Sequence, residues 1–177
     1  MPRRPIQPMP RIRPCQLPTG ALLSRYLGSG AYADCYVAEI ARTVSHAEFV
    51  EAFYTTMVFK LERLILRLLV SRPSTDAQAT QLAQGTLSSF AAWSVEGRAP
   101  DQLLLSDFTG RTKSWLMVKP ESAESTGTRL FFGSAVVPVR DPTSGRPSLG
   151  FMFSALLGFH KVYSRVLLHA ARSRLSR

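Results

Sequence analysis

His160 is the residue of this chain best placed to do chemistry. It lies in the segment LLGFHKVY at 156–163, where the neighbouring turns carry apolar residues. Leu156 precedes it by about one turn and Tyr163 follows it by nearly one, so the three share a face of a 3.6-residue helix. An imidazole on an inward face can act as an acid or a base near neutral pH. The alternative is a structural histidine that bonds a backbone carbonyl or a strand carboxylate, since a lone polar residue in a core is only a pointer to function.

A second group of side chains has the chemistry of binding rather than of reaction. Large aromatic and apolar side chains on the strands and the last helix can line a cavity, and an arginine can anchor a carboxylate or phosphate head. The candidate ligand-binding residues are Trp93, Arg111, Trp115, Phe132, Met152, Leu156 and Tyr163. Core packing is the alternative for the aromatic residues, and pairing across neighbouring strands is the alternative for the arginine.

Several chemical signatures are missing from the sequence. It has no G-x-S-x-G, Walker, dinucleotide-binding or H-E-x-x-H motif, and its histidines and cysteines lack the spacing of a metal site. We therefore expect no metal and no cofactor. Cys15 and Cys35 are the only cysteines, too few for a disulfide framework. We expect both to be free thiols in a reducing compartment, which favours the cytoplasm.

The net charge of +10 lies at the two ends of the chain. Residues 1–25 hold five arginines and no acid, and residues 160–177 hold five lysines or arginines and no acid, so the body is neutral. A nucleic-acid domain usually carries its cations across a folded face, and we expect no specific nucleic-acid partner. Solvated ends are the plain interpretation, and weak contact with an anionic surface, either membrane or nucleic acid, is the alternative. No secretory signal and no apolar run of membrane-spanning length is visible.

Residues 1–29 are predicted to be an arm and connector that precede the folded domain. Six prolines within residues 1–20 are interleaved with arginines, and proline at this density prevents helices and sheet ladders. We therefore expect an extended or disordered arm, followed by a short apolar connector with flexible glycines. A single domain is expected over 30–177, a length that buries a core of ordinary size.

Two-residue periodicity predicts five strands. They are Tyr32–Ile40, Ser89–Arg98, Gln102–Phe108, Arg111–Lys119 and Thr128–Val139. Short turns join the last four, so we expect these to form an antiparallel meander. Each face of the first strand carries one acid, and Asp34 lies either at a solvated rim or inside with a partner.

Three helices are predicted from the 3.6-residue period and from their caps. The first has an S-x-x-E capping box at Ser45, and its apolar stripe fits either one helix or two helices broken near Thr55. A short helix follows, capped by Ser74 or Thr75. The last helix covers Ser148–Leu175, with its first residue as the N-cap and arginines at its C-terminal end.

The order of strand, helices, meander and long terminal helix resembles the START-related, Bet v 1-like (SRPBCC) superfamily, the helix-grip fold. The resemblance covers about residues 30–175. Within the superfamily, the chain looks similar to an uncharacterised branch of bacterial proteins. Three segments add to it: R-T-K-S-W-L at 111–116, G-T-R-L-F-F at 127–132 and L-L-G-F-H-K-V-Y at 156–163. It implies an α+β fold in which a curved antiparallel sheet wraps around the C-terminal helix, with two shorter helices between the first and second strands.

The resemblance also implies a cavity, because members of the superfamily hold apolar molecules between sheet and helix. We expect a binding module for a hydrophobic or amphipathic small molecule, lipid-like or polyketide-like, rather than an enzyme. Some members are cyclases or hydrolases, so an enzyme that uses His160 as acid or base in the same cavity is the alternative. A second alternative is a peripheral protein that docks on an anionic surface through its basic ends, which predicts salt-sensitive binding.

Overall fold

The structure is a computed structural model that describes residues 12–28, 30–61, 74–122, 125–140, 147–148 and 151–177, except for the side chains of 139–140, 147–148 and 151–160. It is an α+β fold with one open, seven-stranded antiparallel sheet and a C-terminal helix, which confirms the predicted fold class at this level. The strands of that sheet are β1 (Arg13–Pro14), β2 (Tyr32–Ile40), β3 (Ser89–Phe90), β4 (Trp93–Ala99), β5 (Gln102–Asp107), β6 (Thr112–Pro120) and β7 (Thr128–Val136). A two-stranded sheet pairs β8 (Val139–Arg140) with β9 (Pro147–Ser148). The helices are a 3-10 helix (Leu22–Tyr26), α1 (His46–Tyr54), α2 (Asp76–Ala83) and α3 (Phe151–Leu175).

The first and last long strands of the large sheet are neighbours. The strand order is β1-β2-β7-β6-β5-β4-β3, so β4 to β7 form the predicted meander and β2 pairs with β7. In that pair Tyr32 lies opposite Val136, and Ile40 lies opposite Thr128. Short turns explain the meander, because they make consecutive strands pair. The pairing of β2 with β7 joins distant parts of the chain and has no local sequence signal.

Some strand bounds differ from the prediction where the backbone leaves the ladder. Strand β2 has the predicted bounds. The predicted strand Ser89–Arg98 is divided into β3 and β4 near Ala91, whose φ of 53° is incompatible with a strand. The register also shifts between Val95 and Gly97, which marks a β-bulge in β4.

The described residues at the N-terminus pack against the sheet. Strand β1 pairs with β2, and Leu23 of the 3-10 helix is fully buried. Proline is compatible with β1 because β1 is an edge strand, where a missing N–H leaves the ladder intact. The structure thus places residues 12–28 on the sheet, where the sequence predicted an arm and connector, while residues 1–11 lie outside the described residues.

Both short helices begin at capping boxes. In α1 the Ser45 hydroxyl accepts the Glu48 N–H at 3.2 Å, and the Glu48 carboxylate accepts the Ser45 N–H at 2.8 Å, as predicted. In α2 the N-cap is Thr75, which shares the same two bonds with Gln78. Each box satisfies backbone N–H groups that a helix start leaves without intrahelical partners.

Two threonines interrupt the first helix. The Thr55 hydroxyl donates to the Glu51 carbonyl at 2.6 Å, and the Thr56 hydroxyl donates to the Phe53 carbonyl at 3.0 Å. Such side-chain bonds compete with the helical ladder. Helical conformation resumes at 57–61, so of the two predicted alternatives the broken helix is the one observed. The rest of the predicted stripe lies outside the described residues.

Helix α3 begins at Phe151. The predicted N-cap, Ser148, belongs instead to β9, where it pairs with Val139, so that prediction is wrong. Among the described side chains, the buried positions of α3 are Ser164, Leu167, Leu168, Ala171 and Leu175. The face predicted from Leu156, His160 and Tyr163 lies about one residue away from this stripe, because Tyr163 is half-buried whereas Ser164 is fully buried.

The two faces of the large sheet carry separate hydrophobic cores. The helix face, which packs against α1, α2 and α3, presents Tyr36, Ala38, Ile40, Leu103, Leu105, Leu116, Leu130 and Phe132. The outer face presents Cys35, Val37, Leu104, Trp115, Met117, Phe131 and Ala135, which pack with Ala21 and Leu23. Successive strand residues alternate between the faces, so each strand contributes to both cores.

Candidate functional site

An apolar cavity of about 400 Å³ lies on the helix face of the sheet. Its walls come from α1, the 57–61 segment, strands β4, β6 and β7, and α3. The lining residues are Phe53, Val58, Phe59, Leu61, Trp93, Thr112, Lys113, Ser114, Phe132, Ser134, Tyr163, Ser164 and Leu167. Apolar and aromatic side chains with a few hydroxyl groups are the usual composition of a small-molecule site.

Aromatic contacts fix one wall of the cavity. The Phe53 ring packs on the Phe132 ring of β7 with centroids 4.8 Å apart, and the Phe59 ring lies 6.4 Å from Phe53. In an unbroken helix, residues six apart would differ by about 240° around the axis. The break at Thr55 allows Phe53 and Phe59 to line the same cavity, which gives this irregularity a role in shaping the site.

A row of polar side chains crosses the sheet beside the cavity. Ser114, Ser134 and Asp34 lie opposite one another on the neighbouring strands β6, β7 and β2. The Ser134 hydroxyl donates to Asp34 Oδ1 at 2.6 Å, and the oxygens of Ser114 and Tyr54 are 3.1 Å apart. These contacts satisfy polar groups of a largely apolar wall and hold their hydroxyl groups in fixed positions.

Asp34 is half-buried on the helix face of the sheet and has hydrogen-bond partners there. In addition to Ser134, the Tyr32 hydroxyl donates to Asp34 Oδ2 at 3.3 Å. Burial raises the pKa of Tyr32, and the neighbouring Asp34 carboxylate raises it further. Tyr32 consequently remains a neutral donor at physiological pH.

Two polar groups of the cavity wall have no hydrogen-bond partner among the described residues. They are Trp93 Nε1, which is buried, and Ser164 Oγ, on a side chain that is 0% exposed. An unsatisfied buried polar group costs about 1–3 kcal/mol, and such groups are rare in native proteins. Both groups belong to residues that line the cavity.

Three of the predicted ligand-binding residues meet at this cavity. Trp93 from β4, Phe132 from β7 and Tyr163 from α3 all line it. The sequence placed them on separate elements as large apolar side chains, and the sheet order together with the packing of α3 brings them together.

The structure places two other candidates elsewhere. Trp115 lies on the outer face and is 0% exposed, and its Nε1 donates to Gln102 Oε1 at 2.9 Å. Its neighbour Ser114 lines the cavity, since adjacent strand residues point to opposite faces. Arg111 is partly exposed just before β6 and is not one of the described residues that line the cavity.

The remaining candidates belong to the first part of α3. Met152, Leu156 and His160 lie within the helix, and their side chains are outside the described part of the structure. Their proposed roles stay predictions. His160 is four residues, about one helical turn, before Ser164.

Sequence reasoning missed Ser164 and the polar row. A usable signal existed for Ser164, because positions 164, 167, 168, 171 and 175 form an otherwise apolar stripe that contains one serine. For Ser114, Ser134 and Asp34 there was none, since their proximity depends on the register of three strands.

His46 is partly buried at the start of α1. Burial lowers its pKa to about 4, although a hydrogen bond with the Leu116 backbone acts in the opposite direction. The imidazole is consequently neutral at physiological pH. It is not among the described residues that line the cavity, so its effect is on stability.

Comparison with known proteins adds no identification: no family model, no curated protein and no solved structure matches this chain. Within the described ranges, no helix has the length and apolar character needed to cross a bilayer. The same residues contain no group of three or more histidine, cysteine or acidic side chains suited to hold a metal. The resemblance to the helix-grip superfamily thus remains a hypothesis, and the cavity itself is the strongest basis for a functional proposal.

Proposed function

We propose that this protein binds a hydrophobic or amphipathic small molecule in the cavity between the sheet and α3. In this proposal the sheet curves around the C-terminal helix as in helix-grip proteins. The observation that supports it is an apolar cavity of about 400 Å³ whose wall contains the buried, unpaired Trp93 Nε1 and Ser164 Oγ among the described residues. A purely structural core tends to fill such space and to satisfy such groups.

The size of the cavity limits the ligand. Small-molecule sites usually have volumes of about 300–1,000 Å³, so this cavity is at the lower end of that range. Walls formed by Phe53, Phe59, Phe132 and Leu167 favour an apolar body and contribute roughly 25 cal/mol for each Å² of apolar surface removed from water.

The polar groups indicate the chemistry of one end of the ligand. Trp93 Nε1 can only donate a hydrogen bond, whereas the Ser164 hydroxyl can donate or accept. A carbonyl, hydroxyl or carboxylate oxygen at one end of an apolar molecule would suit either group. The ligand class is therefore an apolar molecule with an oxygen-bearing end, which includes lipid-like and polyketide-like compounds.

A binding experiment with one cavity variant and one matched control tests the proposal. The probe is anilinonaphthalene sulfonate, which has an aromatic body and an oxygen-rich end, and its fluorescence reports transfer into an apolar site. Val58→Trp fills the cavity from a partly buried position, whereas Val162→Trp makes the same change at a site that is 59% exposed on α3. We expect the first variant to bind the probe about tenfold more weakly or worse, a loss of roughly 1.4 kcal/mol, and the second to bind as wild type.

Native mass spectrometry of the purified protein gives the second readout. A small molecule that co-purifies with the wild type and with Val162→Trp, but not with Val58→Trp, would identify the natural ligand class. Equal probe binding by both folded variants would contradict a ligand site at this cavity.

An enzyme that uses the same cavity is the second candidate. The observation in its favour is the Asp34 carboxylate, which accepts a hydrogen bond from the hydroxyl of the lining residue Ser134. The helix that carries His160, α3, also lines this cavity. In a cyclase or hydrolase of this kind, His160 is the proposed acid or base. His160→Leu should then leave probe binding intact and lower turnover of an activated ester by about 10²-fold or more. If the protein is only a binding module, the wild type and His160→Leu should show the same background turnover of the ester.

A further inference from the structure

The two cysteines of the chain face each other across the β1–β2 pair. The register pairs Arg13 with Val37 and Pro14 with Tyr36, so the next residue, Cys15, lies opposite Cys35. The Cys15 N–H donates to the Cys35 carbonyl at 2.9 Å, and the two Sγ atoms are 3.1 Å apart. Both are free thiols in the structure.

This geometry suits a covalent bond. Directly opposite residues of an antiparallel pair have Cα atoms about 4.5–5.5 Å apart, and disulfides span Cα separations of about 4.4–6.8 Å. A thiol pair at a sulfur separation of 3.1 Å needs only a small side-chain adjustment to reach bonding distance. We propose that Cys15 and Cys35 are a redox modification site, where exchange with a low-molecular-weight disulfide such as oxidised glutathione forms a reversible intramolecular disulfide.

The two thiols have unequal environments, and this sets the order of the steps. Cys15 is partly exposed and Cys35 is buried. The hydrogen bond with the Cys35 thiol lowers the pKa of Cys15, burial opposes this, and the Arg13 charge lowers it further. The pKa of Cys35 is raised by its bond with Cys15 and by burial. Cys15 is therefore the attacking thiolate, because the thiolate is the nucleophile in exchange reactions.

The exchange balances without any other reagent. The Cys15 thiolate attacks one sulfur of the glutathione disulfide, whose S–S bond breaks and releases one glutathione thiolate. Cys35 loses its proton to solvent and attacks the Cys15 sulfur of the mixed disulfide, which expels the second glutathione. The protein gives up two electrons and two protons, and the reagent becomes two glutathione thiols. Reduced glutathione reverses these exchange steps.

The disulfide would tie the N-terminal segment to the sheet on its outer face. It would close a loop between positions 20 residues apart, which spans the connector and the 3-10 helix. Cross-links of this kind stabilise a fold chiefly by restricting the unfolded chain. The cavity lies on the other face, so this inference is independent of the proposed ligand.

The test uses the full chain, first reduced and then equilibrated with mixtures of oxidised and reduced glutathione under denaturant-free conditions. Intact mass and non-reducing peptide mapping follow the products. We expect the wild type to lose two hydrogens, to keep no glutathione and to yield one peptide pair joined through Cys15 and Cys35. Cys35→Ser should retain glutathione on Cys15, whereas Cys15→Ser should stay largely unmodified because Cys35 is buried.

A stability measurement on the wild type provides a second test that needs no variant. The oxidised protein should have a urea midpoint higher by about 1 M or more than the reduced protein, since it closes a loop of this length. A wild type that keeps both thiols titratable across the glutathione series, that retains glutathione as a stable adduct, or that forms only intermolecular dimers would overturn the proposal.

Discussion

The two tryptophans of this protein show how differently the two faces of one sheet are built. Trp115 on the outer face is fully buried, and its Nε1 donates to Gln102 Oε1 at 2.9 Å. Trp93 on the helix face lines the cavity, and its buried Nε1 has no partner among the described residues. The same side chain is thus a satisfied core residue on one face and a wall of an incompletely filled space on the other.

Other residues of the outer face are closely packed or paired in the same way as Trp115. A Cβ atom on Gly133 would come within 2.9 Å of Leu23 Cδ2 and 3.0 Å of the Asp34 carbonyl, so the 3-10 helix packs closely at this point. The Lys113 ammonium bonds Glu96 at 2.7 Å and Ser106 at 2.9 Å. The outer face is closely packed around Leu23 and the Lys113 charge is paired, whereas the helix face keeps a cavity with two unpaired groups in its wall among the described residues. This contrast is the reason that we propose a ligand site on the helix face.

Removal of a core side chain from the outer face should have the largest effect. Leu23→Ala should lower the free energy of unfolding by about 3 kcal/mol, because Leu23 is 0% exposed and its loss leaves a cavity beside Gly133. Urea unfolding measures the change. Leu27→Ala is the matched control at a site that is 56% exposed, and it should change the value by less than about 0.5 kcal/mol. Similar values for both variants would show that the 3-10 helix is not docked.

Lowering the pH should distinguish the stability contribution of His46, on the helix side, from that of Glu96, a carboxylate on the outer face. Burial lowers the pKa of His46 to about 4 from 6.5, so the unfolded chain binds a proton first as the pH falls. This contribution to stability is complete above about pH 6.5, is lost toward pH 4 and amounts to about 3 kcal/mol at most. His46→Gln should flatten the plot of unfolding free energy against pH in that window.

Glu96→Gln is the control for the pH series. Burial alone would raise the pKa of Glu96, but the hydrogen bonds from Lys113 and Tyr26 lower it overall. A lowered carboxylate pKa stabilises the fold above its unfolded value, 4.5, and this stabilisation is lost only as the pH falls below it. The Glu96→Gln variant should therefore keep the wild-type slope between pH 4.5 and 6.5, and a flattened slope there would contradict the assignment to His46.

Disruption of the bond to Trp115 should cost more than disruption at Trp93. Gln102 accepts the Trp115 Nε1–H and the Leu22 N–H, the latter at 2.8 Å, and donates to the Gly20 carbonyl at 3.0 Å. Gln102→Leu would leave these groups unpaired and should lower the unfolding free energy by about 2 kcal/mol. Trp93→Phe removes an N–H without a partner in the described residues, so we expect a loss of about 1 kcal/mol or less. Thermal or urea unfolding of both variants measures the difference, and a reversed order would contradict it.

The smallest effect should come from Ser164, and it should have opposite signs for stability and binding. Ser164→Ala removes a buried hydroxyl that no described residue bonds, so the ligand-free protein should gain up to about 1 kcal/mol. Binding of anilinonaphthalene sulfonate should weaken about fivefold, since that factor corresponds to about 1 kcal/mol. Ser106→Ala is the control, because that hydroxyl accepts a bond from Lys113 on the outer face at 2.9 Å. It should lower stability and leave probe binding unchanged.

The sequence by itself determined the local elements. Alternation in Tyr32–Ile40 predicted β2 with its observed bounds, and the S-x-x-E pattern at Ser45 predicted the start of α1. Turn chemistry predicted the meander of β4 to β7. These features follow from interactions between residues a few positions apart, which a sequence displays directly. The same kind of signal made Trp93, Phe132 and Tyr163 candidates for a cavity.

Only the tertiary structure decided which side chains meet. The pairing of β2 with β7 sets Asp34 beside Ser134, and the rotation of α3 about its axis turns Ser164 into the site. Because successive residues of β6 point to opposite faces, Trp115 lies on the outer face. As a residue type it was as suitable a candidate for the cavity lining as Trp93. Register, helix rotation and face are properties of long-range packing, in which a shift of one residue exchanges the buried and exposed sets. The residue types therefore supplied candidates for the lining of a cavity, and the packing alone selected which of them line it.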